Sequence, residues 1–398
     1  MIPRHDTNEL AEYLTFFPSI MLTGPRQVGK TTLAKEIAEK LNKPVLYLDM
    51  ERENDKAILK NNAHDFLMNK KDHCVVIDEA QALPEIFTML RPMIDEHRVP
   101  GRFILLGSAN PTLVKKISET LAGRIYYIEI SQITLAEAEE NGISMEHHWF
   151  RGGFPEALLV KNNKFWAAWA DGFIKSYVYR DLNFLFGIDL SPVIVDKVWN
   201  LLAQLNTGIE NVENFSRTLG VSSITVRKYI DFLEGAYLIH RLPALYINNK
   251  KRLVKSPKVY VRTAGILHYL LKIKDIDGLK MSPHLGASWE GYVVEQLYLN
   301  KPTNANWFYY RTHNGAEIDL ALVVGSKPVL TIEIKYSNAP DLTRGYYECL
   351  SDLATRHNYV ITPGSHHWNL KENVTVCSLS HFLKHEINKF GKNSDFFE

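Results

Sequence analysis

Short apolar runs alternate with amphipathic stretches over the first 130 residues. The runs occupy 18–23, 44–49, 74–78, 102–107 and 124–128. Helical stretches separate most of them. Runs apolar on both faces are what a parallel sheet covered by helices requires, so the spacing predicts a doubly wound α/β domain. In the stretch 32–41, Leu33, Ile37, Ala38 and Leu41 form one helical stripe. From Phe165 the chain turns helix-rich and aromatic, and its rings read as packing. A short helix over 212–221 ends at Gly220, and a second, opened by a Ser cap, runs over 222–233. Strand-like runs follow at 237–242 and 258–261. The last third predicts a helix at 286–297, strands at 307–311, 317–324 and 329–336, and a further core strand near 359–364.

The first two elements enclose Gly24-Pro25-Arg26-Gln27-Val28-Gly29-Lys30-Thr31, with Thr32 behind it. This is G-x-x-x-x-G-K-[ST] between a strand and a helix, the spacing of a phosphate-binding loop. The glycines let backbone N–H groups turn toward an anion, and the following helix adds its positive end. Lys30 neutralises the β- and γ-phosphates of ATP, and the Thr31 hydroxyl ligates Mg²⁺. The third apolar run ends in Asp78-Glu79. Asp78 suits the metal through water, and Glu79 suits a base that deprotonates the attacking water. The fourth run ends in Gly107-Ser108-Ala109-Asn110. Ser108 and Asn110 both qualify as the polar contact to the γ-phosphate or the attacking water, and both qualify as a helix cap before Pro111. Arg124, ahead of the fifth run, is either a surface residue or a cation reaching a phosphate in its own or a neighbouring subunit.

The chain has 398 residues, 45% hydrophobic and 23% charged, enough for two or three ordinary cores. No run approaches the roughly 20 apolar residues of a membrane span. Cys74, Cys349 and Cys377 are far apart and fit a reducing cytoplasm. Net charge is +1 and decides nothing about nucleic acid, but residues 216–262 hold ten Lys and Arg against two Asp and Glu, a local balance of +8. Helix, glycine turn, helix and two strands read as a winged helix whose wing carries Lys250, Lys251 and Arg252. Arg227 and Lys228 on the second helix complete a surface for the DNA backbone. Winged helices also mediate protein contacts or act as spacers.

In the last third, Asn314-Gly315 makes a hairpin turn. Strand alternation sets Ile318, Leu320 and Leu322 on one face and Asp319 on the other. Glu333 and Lys335 share a face by the same rule. Pairing the strands gathers Asp319, Glu333 and Lys335, and two carboxylates with a lysine suit Mg²⁺-dependent phosphodiester cleavage. The alternative is a surface hairpin with ordinary polar alternation. On the preceding helix Glu290 shares a stripe with Val293, Val294 and Leu297. Glu295, about 140° round, is expected in solvent.

The loop, the Asp78-Glu79 box, the strand end at 107–110 and the turn at 121–124 resemble the AAA+ ATPases of a large prokaryotic family. That family carries a C-terminal domain of unknown function. Its other marks, without an assigned role, are matched by Ile2-Pro3-Arg4, by Arg151-Gly152-Gly153-Phe154-Pro155-Glu156 and by Tyr179-Arg180-Asp181-Leu182. The last third resembles the PD-(D/E)XK nuclease core, and that resemblance implies a further metal-binding glutamate from the helix before the hairpin, for which Glu290 is the better candidate. Together these imply an AAA+ domain at 1–140, a helical connector at 141–195, a winged helix at 196–262 and a nuclease-like domain at 263–398. The expected protein is cytoplasmic, uses ATP and Mg²⁺, acts on DNA, and forms a possible homo-oligomer. The competing expectation is a nucleotide-dependent switch that binds a protein partner and cuts nothing.

Overall fold

The computed structural model describes residues 2–109, 121, 123–181, 191–247 and 253–390. The five apolar runs form the strands β1 (Ser19–Thr23), β2 (Val45–Asp49), β3 (Cys74–Asp78), β4 (Phe103–Gly107) and β5 (Ile125–Glu129). All are parallel, in the order β2-β3-β4-β1-β5. The inner strands β1, β3 and β4 are buried along their whole length, and the edge strands only in part. Alternation divides the apolar side chains between two cores. Ile20, Leu22, Val76, Ile104 and Leu106 meet the helices Thr7–Phe16 and Lys30–Glu39. Met21, Val75, Ile77, Phe103 and Leu105 meet the helices Glu53–Met68 and Glu85–Glu96. Helices therefore cover both faces of the sheet, as the unbroken apolar runs required.

The helices Asn163–Ser176, Pro192–Leu205, Val212–Leu219 and Ser223–Gly235 follow. Gly220 closes the third at φ 67°, and the Ser222 side chain caps the fourth at the Thr225 N–H. Strands β6 (Ile239–Leu242) and β7 (Lys258–Val261) pair antiparallel. The last part builds a six-stranded sheet from β8 (Ala305–Arg311), β9 (Glu317–Val324), β10 (Lys327–Ile334), β11 (His357–Thr362), β12 (Trp368–Lys371) and β13 (Val374–Ser378). Its order is β12-β13-β11-β10-β9-β8. Strands β8, β9 and β10 are antiparallel, while β10, β11 and β13 run parallel.

Strict alternation fails in β9. Ile318 packs with Ala321 and Val323, whereas Leu320 and Leu322 join the opposite core. The β8–β9 register shifts between Phe308 and Tyr310, and such an irregularity turns the residues beside it to the other face.

The helix Leu285–Leu299 is buried nearly all round, from Ser288 and Trp289 through Gly291–Leu297. It packs on the C-terminal sheet and against earlier parts of the chain. His148 bonds the Tyr292 hydroxyl at 2.8 Å, Trp149 donates to Ser288 at 3.0 Å, and the Gln296 side chain accepts from the Leu135 N–H at 2.8 Å. One apolar cluster consequently runs from Leu10 to Phe390. Among the described residues no helix is long and apolar enough to cross a membrane.

Candidate active site and a second carboxylate cluster

The loop leaves β1 at Gly24, whose φ is 143° and where a Cβ would stand 2.2 Å from the Ile130 carbonyl oxygen. Only glycine fits there. Gln27 and Gly29 also take positive φ, at 65° and 95°, and the helix starts at Lys30. The Lys30 ammonium is buried at its own loop. It donates to the carbonyls of Gly24 at 3.0 Å and Pro25 at 2.8 Å, and to the Ser108 hydroxyl at 3.1 Å. Burial lowers its pKa to about 8 against the opposing pull of Glu79 and Asp78. The Thr31 hydroxyl donates to Asp78 at 2.8 Å, and the Tyr47 hydroxyl donates to the same oxygen.

Glu79 sits in the left-handed region at φ 48°, a strained position for a residue with a Cβ. Its carboxylate accepts from the Ser108 hydroxyl at 2.9 Å and from the Gln81 amide. Since β4 lies between β1 and β3, Ser108 stands between Lys30 and Glu79 and touches both. Asn110 lies outside the described residues.

The sequence placed Arg26 in the loop as a nucleotide-binding residue but assigned no role there to the groups that meet it from elsewhere in the chain. The Arg26 guanidinium pairs with Asp181 at 2.5 Å and with Glu51, and its Nε is 3.7 Å from Glu79. The Arg26 N–H donates to the Tyr177 hydroxyl at 2.7 Å. Pro155, Glu156, Ser176 and Asp181 face the loop across a cleft of about 510 Å³. For Pro155, Glu156 and Asp181 the signal was motif resemblance, in Phe154-Pro155-Glu156 and Tyr179-Arg180-Asp181, and Ser176 carried none. Two other motif marks are structural. Arg4 ties Glu137 at 3.0 Å and the Val28 carbonyl at 3.2 Å, bracing the loop from behind. A Cβ on Gly153 would stand 2.2 Å from the Ile133 carbonyl oxygen, so the chain crosses itself there only with glycine.

Arg124 is a correction within its own subunit. It lies just before β5, at the end of the parallel sheet opposite the loop, and grips Asp95 through two bonds of 2.6 and 2.7 Å. A five-residue strand, roughly 16 Å, separates it from the phosphate end.

The C-terminal carboxylates do gather. Asp319 accepts from the Ile334 N–H at 2.9 Å, and Lys335 pairs with Glu333 at 2.7 Å. Burial first, then Asp319, raises the pKa of Glu290 to about 7 and of Glu333 to about 8. The cluster contains a cation that the sequence reading did not place there. Lys258 from β7, its side chain 4% exposed, reaches Glu290 at 3.1 Å, Asp319 at 3.6 Å and also Glu317. Tyr260 donates to the same Glu290 oxygen at 2.9 Å. Among the described residues no three His, Cys, Asp or Glu side chains are disposed to hold a metal ion. This arrangement therefore does not fit the divalent ion that the nuclease resemblance implies.

Glu295 is the second correction. It is buried, and Arg262 grips it at 3.0 Å while also reaching Glu129 at 2.7 Å. Its helix has little solvent face, so a side chain about 140° round from Glu290 still lies inside the protein. The same packing engages three cations of the +8 segment within the protein. Lys258 and Arg262 are buried in ion pairs, and Arg241 is engaged by Asp231 at 2.7 Å and by Glu234. Arg227 and Lys228 are exposed on their helix, beside Ile224 at 81% exposure. Lys250, Lys251 and Arg252 lie outside the described residues.

Comparison with known proteins agrees on the first third. Residues 17–139 match the AAA domain family, 143–277 a domain of unknown function (DUF8612), and 285–382 another (DUF4143). A Walker-type ATPase of Pyrococcus abyssi is 14% identical, with 69% of this chain and 96% of that one covered at a TM-score of 0.42. The RuvB Holliday junction branch migration motor of Thermotoga maritima is 17% identical, with 61% and 90% covered at a TM-score of 0.31. An uncharacterized protein of Mycobacterium bovis is 35% identical over 366 residues, 92% of this chain and 81% of its own length. One of Mycobacterium tuberculosis matches to the same extent. The chain therefore belongs to the family of these two mycobacterial proteins, and it carries an AAA domain followed by two domains of unknown function.

Proposed function

We propose that the protein is an ATPase whose nucleotide site drives a switch in the modules that follow it. The observation that carries this reading is the single hydroxyl of Ser108 touching both Lys30 and Glu79. The residues fit a nucleotide with its metal. The loop turns on Gly24 and Gly29, Lys30 supplies a buried positive charge, and Thr31 and Asp78 would hold Mg²⁺. When bound, that ion would neutralise phosphate charge. Lys30 binds the β- and γ-phosphates. Glu79 takes the proton of the attacking water, and Ser108 orients it or the γ-phosphate. Arg26 is the transmitting group. It bridges the candidate base and Asp181, so its recruitment by a γ-phosphate would break the Arg26–Asp181 link between the loop and the helical turn that carries Asp181. Comparing ATP turnover of the wild type with Ser108→Ala and Glu79→Gln tests the assignment. Wild-type turnover in both variants would end it.

A second reading keeps DNA as the partner. It rests on the exposed Ile224, Arg227 and Lys228 on the second helix of a winged-helix-like unit. A cytoplasmic homo-oligomer in which Arg124 acts across a subunit boundary belongs to the same proposal. A Mg²⁺-dependent nuclease-like domain would need Glu290, Asp319 and Glu333 on one ion, with Lys335 beside it. The position of Lys258 counts against cutting and favours the switch.

A further inference from the structure

The C-terminal cluster has the composition of a metal site and the contacts of something else. Glu290 comes from the buried helix, Glu317 and Asp319 from β9, and Glu333 from β10. The side chains of Glu290, Glu317 and Asp319 converge on one buried space. The Lys258 ammonium occupies it, and the Tyr309 ring closes one side with its centroid 5.7 Å from the nitrogen. A bound divalent ion would draw carboxylate oxygens to about 2.0–2.6 Å. Here they stand around a tethered ammonium at hydrogen-bonding and ion-pair distances. Asp319 points one oxygen at the ammonium and spends the other on the Ile334 N–H. Glu290 gives the same oxygen to Lys258 and to the Tyr260 hydroxyl. Both donors belong to β7, so one short strand supplies the charge and the second hydrogen bond.

We propose that Lys258 is the resident cation of the Glu290–Glu317–Asp319 cluster. It takes the place of a divalent metal and fastens the β6–β7 hairpin to the C-terminal sheet. The carboxylate cluster is then complete without a metal. The lysine and a divalent ion compete for the same carboxylates, so removing the ammonium should create a metal site.

The test is a Mn²⁺ titration of the full chain without nucleotide, followed by electron paramagnetic resonance. An Asp78→Asn background removes the metal ligand of the phosphate loop. With Lys258 present, no saturable binding is expected up to about 1 mM, the weak end of protein sites for such ions. Lys258→Met should bind one Mn²⁺ per chain on the order of 100-fold tighter, because a unit charge a few ångströms away has gone. Adding Asp319→Asn should abolish that binding. If Lys258→Met does not fold, Lys258→Gln with Glu317→Gln removes one charge of each sign and carries the same expectation. Saturable Mn²⁺ binding by the lysine-containing protein, lost on Asp319→Asn, would overturn the proposal. So would a folded variant without the lysine that binds no Mn²⁺. Either result leaves the ATPase reading intact, because it concerns another domain.

Discussion

The guanidinium of Arg26 stands 2.5 Å from the carboxylate of Asp181, across 155 positions of chain. It joins the phosphate loop to the helical turn that follows Asn163–Ser176. Both side chains are largely buried, so their loss is not that of a surface ion pair. A double-mutant cycle of Arg26→Ala and Asp181→Ala, read by urea unfolding, should give a coupling of about 1–3 kcal/mol. Additive effects would show that the pair does not connect the two parts.

Hydrolysis should separate from binding. Lys30→Ala removes the charge that meets the phosphates and is expected to abolish tight ATP binding. Glu79→Gln keeps the hydrogen-bonding shape and removes the base. It should bind ATP with near wild-type affinity and turn over at least about 100-fold slower. Equilibrium binding and steady-state rates measured on the same preparations decide this, and a Glu79→Gln enzyme of normal rate would remove Glu79 from the chemistry.

If the exposed helix face meets DNA, the salt dependence should report it. Replacing Arg227 and Lys228 by Ala removes up to about two phosphate contacts, so the slope of log K against log[salt] should flatten by up to about 2. Fluorescence anisotropy with a short duplex at several salt concentrations measures the slope. A slope unchanged in the double variant places any DNA surface elsewhere.

The buried carboxylates predict a pH dependence of stability. Glu290 and Glu333 have folded pKa values above the usual 4.5, at about 7 and about 8. The folded state therefore holds protons that the unfolded chain has released, and stability falls as pH rises through this range. His148 and His268, lowered to about 4 by burial, act in the opposite sense below their ordinary 6.5. Between pH 6.5 and 8 the carboxylates act unopposed by them. Unfolding free energy should decline there by up to about 1.4 kcal/mol per pH unit for each proton released. Glu333→Gln should flatten the decline. Urea curves at pH 6.5 and 8 that coincide in the wild type would contradict it.

What the sequence determined by itself is local. The phosphate loop, the Asp78-Glu79 box and the β1–β5 strands were legible because each depends on spacing within a few residues of chain. The same holds for the helices around Gly220 and for the hairpin carrying Asp319. Periodicity reports a face only where an element has two different faces. That is why Glu295 was misplaced on a helix buried nearly all round, and Ile318 on a strand whose register shifts. The partner of each charge was decided by the tertiary structure. Lys258, Arg241 and Arg262 raised the local count, yet packing spends them on Glu290, Glu234 and Glu295. Arg26 looked like one more loop residue until Asp181 was folded against it. Charge along a chain is a one-dimensional sum, whereas an ion pair forms where the fold removes two distant groups from water together, and no spacing rule encodes that.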